Sequence, residues 1–159
     1  MRGAAIIVTA LVLLLAACGG SGGSGTSPRL DAASYKHELK LIKQQAAAAQ
    51  AHVALGLHAK SLPELRQRLE AFANSTGKIG DEVAKLNPPQ NAEAANTELA
   101  KGLKETARAT HSASQQIAKL HSPQEAISYL EQSPANAKGA HEVDEALRKL
   151  RKLGYTSGS

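Results

Sequence analysis

From residue 30 onward the apolar side chains recur at alternating steps of three and four, the spacing that lines up one stripe along a helix. A first stretch reads Tyr35, Leu39, Ile42, Ala46, Ala49 and Val53, and weakens at Gly56. A second reads Leu62, Leu65, Leu69, Phe72, Thr76, Ile79, Val83 and Leu86, the best core helix in the pattern. Within it Gly77 and Gly80 each cost about 1 kcal/mol against Ala, which predicts close helix approach or a kink. A third runs from Pro88 to Leu120 through Ala95, Leu99, Leu103, Thr106 or Ala107, Thr110, Ala113 and Ile117, with a thinner seam of smaller residues. The last uses Ala140, Val143, Leu147 and Leu150 with Leu153 beside them, and offers the i,i+4 pairs Asp144 with Arg148 and Glu145 with Lys149. A short amphipathic segment around Ala126, Ile127 and Leu130 lies between the third and the last.

Helix starts are marked by capping chemistry. Ser61-Leu62-Pro63-Glu64 and Ser122-Pro123-Gln124-Glu125 match the capping box, in which a hydroxyl and a Glu carboxylate each accept from a free amide of the first turn. Asn87-Pro88-Pro89-Gln90 gives a third start and Ser133-Pro134 a fourth. The connections so defined are only a few residues long, which places successive helices antiparallel. The expected fold is all-α: an antiparallel up-down bundle of four helices plus one short helix over residues 30–154, with 155–159 as a C-terminal tail. At roughly 25 residues per long helix the bundle would stand about 38 Å tall.

The N-terminal segment obeys a different pattern. Arg2 is followed by an apolar run, Ala4 to Leu15, too short for a mature membrane span and abutting small residues, the order of an export signal over residues 1–17. It ends in Leu15-Ala16-Ala17-Cys18, which resembles the lipobox of bacterial lipoproteins. That resemblance implies signal-peptidase recognition through Leu15, Ala16 and Ala17, cleavage before Cys18, and a diacylglycerol joined to the Cys18 thiol. Cys18 is the chain's one cysteine, and an exported unpaired thiol left unmodified would be open to oxidation. The alternative is an ordinary secretory signal ending near Ala17. Two or three acyl chains, at about 0.8 kcal/mol per buried CH₂, suffice to hold a domain of this size on a bilayer. Residues 18–29 then form a Gly/Ser-rich tether, whose ten residues from Gly19 to Pro28 have a root-mean-square reach of roughly 16 to 19 Å.

Leu86-Asn87-Pro88-Pro89, the Ala-rich helix with Leu99 and Leu103 that follows, and the basic end closing in Leu153-Gly154-Tyr155 are similar to uncharacterised small lipoproteins of actinobacteria. The resemblance covers about half of the chain. It implies an exported helical domain on the outward face of the plasma membrane, lipid-anchored, and brings no known activity.

Composition narrows the function classes. Thirty Ala and twenty Leu favour helix, and beyond Cys18 only four Ile and three Val are present, too few for a sheet core. Without Trp and with Phe72, Tyr35, Tyr129 and Tyr155 as the aromatic set, base stacking has little to work with, so no nucleic-acid partner is expected. Net charge is +5, falling to +4 once Arg2 is cut away. Its main concentration, Arg148, Lys149, Arg151 and Lys152, reads first as a cationic helix end opposing the macrodipole, and second as a contact for anionic lipid or an acidic partner.

Chemistry-bearing motifs are sparse. His37, His52, His58, His111, His121 and His141 form no His-x-x-x-His pair and have no Cys partner, so no metal or other cofactor is expected and they read as surface side chains. No phosphate-cradling Gly loop and no nucleophile motif is present. Ala46 to Ala49 and the series Gly102, Thr106, Thr110 and Ala113 permit either tight helix packing, a groove for an apolar ligand, or a seat for a partner helix. The expected protein is a membrane-anchored, non-catalytic binding or adaptor module contacting an envelope protein. The alternative is a carrier or sensor of a small apolar ligand or metal within the bundle. Whether the seams close within one chain or across a dimer is left open by the pattern.

Overall fold

A computed structural model describes residues 28–56 and 58–156. Five helices follow one another: α1 Ala32–Gly56, α2 Leu62–Lys85, α3 Glu93–Ile117 entered through a 3₁₀ turn at Gln90–Ala92, α4 Pro123–Glu131 and α5 Pro134–Lys152. They form an all-α up-down bundle in which α1, α2, α3 and α5 are the long helices and α4 the short one. Direction alternates: Leu30 N–H donates to Asn87 O at 2.7 Å, which sets the start of α1 beside the end of α2. Lys104 reaches Asp81 at 2.8 Å across α2 and α3, and Lys149 reaches Glu98 across α3 and α5.

The helix starts follow from local chemistry. Ser61 Oγ accepts from Glu64 N–H at 3.4 Å and Ser122 Oγ from Glu125 N–H at 3.2 Å, with Pro in the first turn of each helix. The returning Glu carboxylates accept from the residue before the cap, Lys60 N–H and His121 N–H, so each box spans one residue more than the pattern predicts. Ser133 caps α5 by position without a side-chain bond, and Pro134 supplies the preset first turn. α1 begins on Asp31, whose Oδ1 accepts from both Ala33 N–H and Ser34 N–H at 2.8 and 2.9 Å.

Buried side chains form two clusters. The larger takes Tyr35, Leu39, Ile42 and Ala49 from α1, Ile79 and Val83 from α2, Ala95, Leu99, Ala100 and Leu103 from α3, and Ala146 and Leu150 from α5. The smaller joins Leu65 and Leu69 of α2 to Ile117 of α3 and Ala126 of α4. Between them lies a waist where α2 contributes Ala73, Thr76 and Gly77 and α3 contributes Ala107, Thr110, Ala113 and Ser114, with half-buried Phe72 beside them packing on the larger cluster. The two buried hydroxyls of α3 bond within their own helix, Thr110 Oγ1 donating to Thr106 O and Ser114 Oγ to His111 O.

The seam of α5 departs from the pattern. Ala140 and Leu153 are exposed, whereas Gly139, Ala146 and Leu150 are buried and Val143 is half-buried. The cause is backbone approach: a β-carbon on Gly139 would stand 2.8 Å from Thr106 N, and one on Gly102 would stand 2.9 Å from Val143 N. Glycine at both positions lets α5 lie against α3 on the face that carries Gly139 rather than Ala140. The expected i,i+4 ion pairs also give way, Arg148 pairing with Glu145 and Lys149 with Glu98 of the neighbouring helix.

Tyr155, placed by the pattern in a tail beyond residue 154, belongs to the core at 8% exposure. Gly154 has φ +78°, Tyr155 N–H donates to Leu150 O and Gly154 N–H to Arg151 O, both at 2.9 Å. This pair of bonds is the Schellman motif, and it turns the chain so that the residue after the glycine faces back onto the bundle.

Candidate functional site

Leu15, Ala16, Ala17 and Cys18, the residues expected from the sequence to direct lipidation, lie outside the described residues. What the structure describes is the end of the bundle at which the chain leading from them enters. There Arg29 Nη1 donates to Pro88 O at 3.1 Å and Arg29 Nη2 to Glu93 Oε2 at 2.8 Å, while Leu30 N–H bonds Asn87 O. The Arg29–Glu93 pair is about half exposed, so its value is orientation more than stability.

Behind this entry point sits a buried polar lock. Tyr35, with no exposed surface, donates its phenol to Asn96 Oδ1 at 3.0 Å, and Asn96 Nδ2 donates to Val83 O at 3.0 Å. One asparagine thereby ties the first turns of α1 and α3 to the last turn of α2. Tyr155 stands edge-on to Tyr35 with ring centroids 5.1 Å apart and donates to Asn91 Oδ1 at 2.8 Å, which brings in the end of α5. Burial, with a smaller contribution from Tyr155, pushes the Tyr35 phenol well above its ordinary pKa. Tyr35 therefore stays protonated as a donor through the physiological range.

Asp31 at the same end is held below the usual carboxylate range, chiefly by the Ser34 amide, then by the Ser34 hydroxyl and the Ala33 amide. The pattern of apolar positions does not show this cap, but an Asp directly before a helix start is the signal that would find it. The tyrosine and asparagine bonds join residues 61 and 64 apart in sequence, and no local spacing announces them.

Elsewhere the sequence candidates stay apart. His37, His58, His111, His121 and His141 are exposed, the side chain of His52 lying outside the description. Among the described residues no three His, Cys, Asp or Glu side chains come together to hold a metal ion. An open groove of about 280 Å³ runs between α2 and α3 past Ala73, Asn74, Ala107, Arg108 and His111. Of the small-residue series, Gly102 and Thr106 meet α5 at Val143 and Gly139, so that part of the seam closes by backbone contact. Ala49 is buried and Ala46 half-buried on α1, whereas Ala47 and Ala48 face outward. Among the described residues no helix is long and apolar enough to cross a membrane. Comparison of the chain with protein-family models, with curated proteins and with solved structures finds no match.

Proposed function

We propose that this chain is a cell-envelope lipoprotein, anchored through diacylglycerol on Cys18, whose helical bundle serves as a non-catalytic binding or adaptor module on the extracytoplasmic face of the membrane. The observation that carries the reading is the position of Leu15-Ala16-Ala17-Cys18, directly after a short apolar run and directly before a Gly/Ser-rich stretch, with the chain's one cysteine at its end. The bundle is consistent with it. The Thr110 and Ser114 hydroxyls are engaged with backbone carbonyls and Tyr35 and Tyr155 with asparagines, so these groups serve packing. The exposed faces of the long helices are the surfaces through which an envelope protein would be met.

The test is the mass of the mature N-terminus purified from membranes. A chain starting at Cys18 and carrying a diacylglyceryl group supports the reading, and an unmodified thiol or a different first residue overturns it. In cells, Cys18→Ser blocks processing or releases the protein from membranes while the helical circular dichroism stays unchanged; full membrane association of a processed variant refutes the anchor. The adaptor role is read by crosslinking in intact cells followed by mapping of the linked residues. A reproducible envelope protein linked to the exposed helix faces supports it, and links confined to the chain itself count against it.

A further inference from the structure

The charge of the chain is not spread evenly. Residues 28–36, 82–98 and 145–156, which form the end of the bundle where the tether enters, hold seven Lys and Arg against five Asp and Glu. The rest of the chain beyond Cys18 holds eleven against nine, so half of the net positive charge of that part sits in these 38 residues. Within the end, Arg29 is paired with Glu93, Arg148 with Glu145 and Lys149 with Glu98. Among the described residues Lys36, Lys85, Arg151 and Lys152 make no ion pair, and all four are exposed. A cationic helix C-terminus accounts for Lys85 and for α5, but Lys36 stands near the start of α1, where the macrodipole gives a cation no advantage. Beside Lys152 the side chain of Leu153 is 41% exposed, an apolar residue set among cations.

We infer that the tether-side end of the bundle is a docking surface for the headgroups of anionic lipids, with Lys36, Lys85, Arg151 and Lys152 meeting phosphate and Leu153 entering the interfacial layer. The inference rests on acylation of Cys18. Given that anchor, the ten residues from Gly19 to Pro28 can reach no further than about 36 Å even fully extended, which holds this end beside the bilayer. The contacts of Arg29 and Leu30 with Pro88 and Asn87 fix the entry point at this end. Each Lys or Arg that reaches an anionic leaflet raises partitioning roughly fivefold, so four unpaired cations turn a freely tumbling domain into one with a preferred orientation. The end set toward the bilayer is then the one that covers the polar lock, and the connection between α1 and α2, with α4, points away.

The test uses the full acylated protein reconstituted in vesicles of phosphatidylcholine alone and in vesicles containing phosphatidylglycerol. Lysines are labelled at low salt with a neutral acetylating reagent and each site is quantified by mass spectrometry, which reads the acyl group on Cys18 in the same sample. The expected result is a fall in labelling of Lys85 and Lys152 of about fivefold in the anionic vesicles, reversed by salt. Lys60 and Lys119 at the opposite end should label equally in both. Arg151→Glu combined with Lys152→Glu should restore the labelling of Lys85 while leaving the circular dichroism unchanged. Equal labelling of Lys85 and Lys152 in the two vesicles, on a protein whose Cys18 is acylated, overturns the inference and leaves the anchor standing. An unacylated Cys18 overturns both. Protection found in native membranes but absent from anionic vesicles overturns it in favour of an acidic protein partner.

Discussion

Gly139→Ala and Gly77→Ala make the same chemical change in two helices, and the structure gives them opposite signs. Each replacement removes the flexibility of glycine from a helix interior, a gain of about 1 kcal/mol. At Gly77 the new methyl would meet Ala107 Cβ at 3.5 Å, an ordinary contact, so the gain is kept. At Gly139 it would fall 2.6 Å from Thr106 Oγ1, 2.8 Å from Thr106 N and 3.0 Å from Thr106 Cα. Two of those atoms are backbone and cannot rotate aside, so α5 must lift from α3, which also loosens Val143 over Gly102 one turn further on. Overpacking of this kind costs about 1 to 3 kcal/mol, which leaves a net loss of up to about 2 kcal/mol after the propensity gain. For a domain of this size 1 kcal/mol moves Tm by roughly 3 to 5 °C. Thermal unfolding of residues 28–159 followed by far-ultraviolet circular dichroism should therefore show Tm rising for Gly77→Ala and falling for Gly139→Ala. Equal rises would refute the close approach of α3 and α5, and a fall at both would refute the use of helix propensity as the deciding gain.

Tyr35→Phe and Asn96→Leu should each cost about 1 to 3 kcal/mol by stranding a buried polar partner, and together should cost at least about 1 kcal/mol less than their sum; strict additivity in urea denaturation would deny the lock. Leu69→Ala, at 5% exposure in the smaller cluster, should cost about 2 to 5 kcal/mol, and a change below about 1 kcal/mol would show that the site collapses to fill the space. Because hydrogen bonds depress the Asp31 pKa in the folded state, its cap contributes above the ordinary carboxylate value of 3.8 and is lost as pH falls through the lower folded value. The Ser34 amide resonance should titrate with a midpoint below 3.8 and lose that titration in Asp31→Asn; a midpoint at or above 3.8 would contradict the cap.

The seams of the first three stretches were legible because each depends on one helix meeting a partner with large side chains. Tyr35, Leu39, Leu65, Leu69, Val83, Leu99 and Ile117 are all buried where the alternating steps of three and four put them. In α5 the same arithmetic placed Val143, Leu147 and Leu150 against the core and failed at Ala140, which it weights above Gly139, whereas the α3 contact selects the residue without a β-carbon. Tyr155 was placed outside the domain because a residue beyond a helix end carries no periodic signal; the Leu-Gly-Tyr sequence of a Schellman turn is the cue that brings it in. The expected pairs within α5 assumed that Lys149 faces its own helix, but Glu98 across the interface is nearer. The proposed lipidation motif is a purely local pattern, and its residues lie outside those the structure describes. The lock behind the tether is the converse case, four side chains whose meeting depends on the completed bundle.

The narrow waist between the two clusters has a consequence for how the molecule comes apart. Fourteen buried residues hold the tether-side cluster and four hold the other, with small side chains and the half-buried Phe72 between them along α2 and α3. Opening of the far end therefore exposes little apolar surface and leaves the tyrosine–asparagine lock closed, so it has its own, smaller free energy, distinct from that of global unfolding. Amides at the start of α2 and in α4 should exchange by this local route and those of Leu99 and Leu103 only by the global one. The domain is a firm base carrying a softer crown, and the crown is the part held farthest from residue 28.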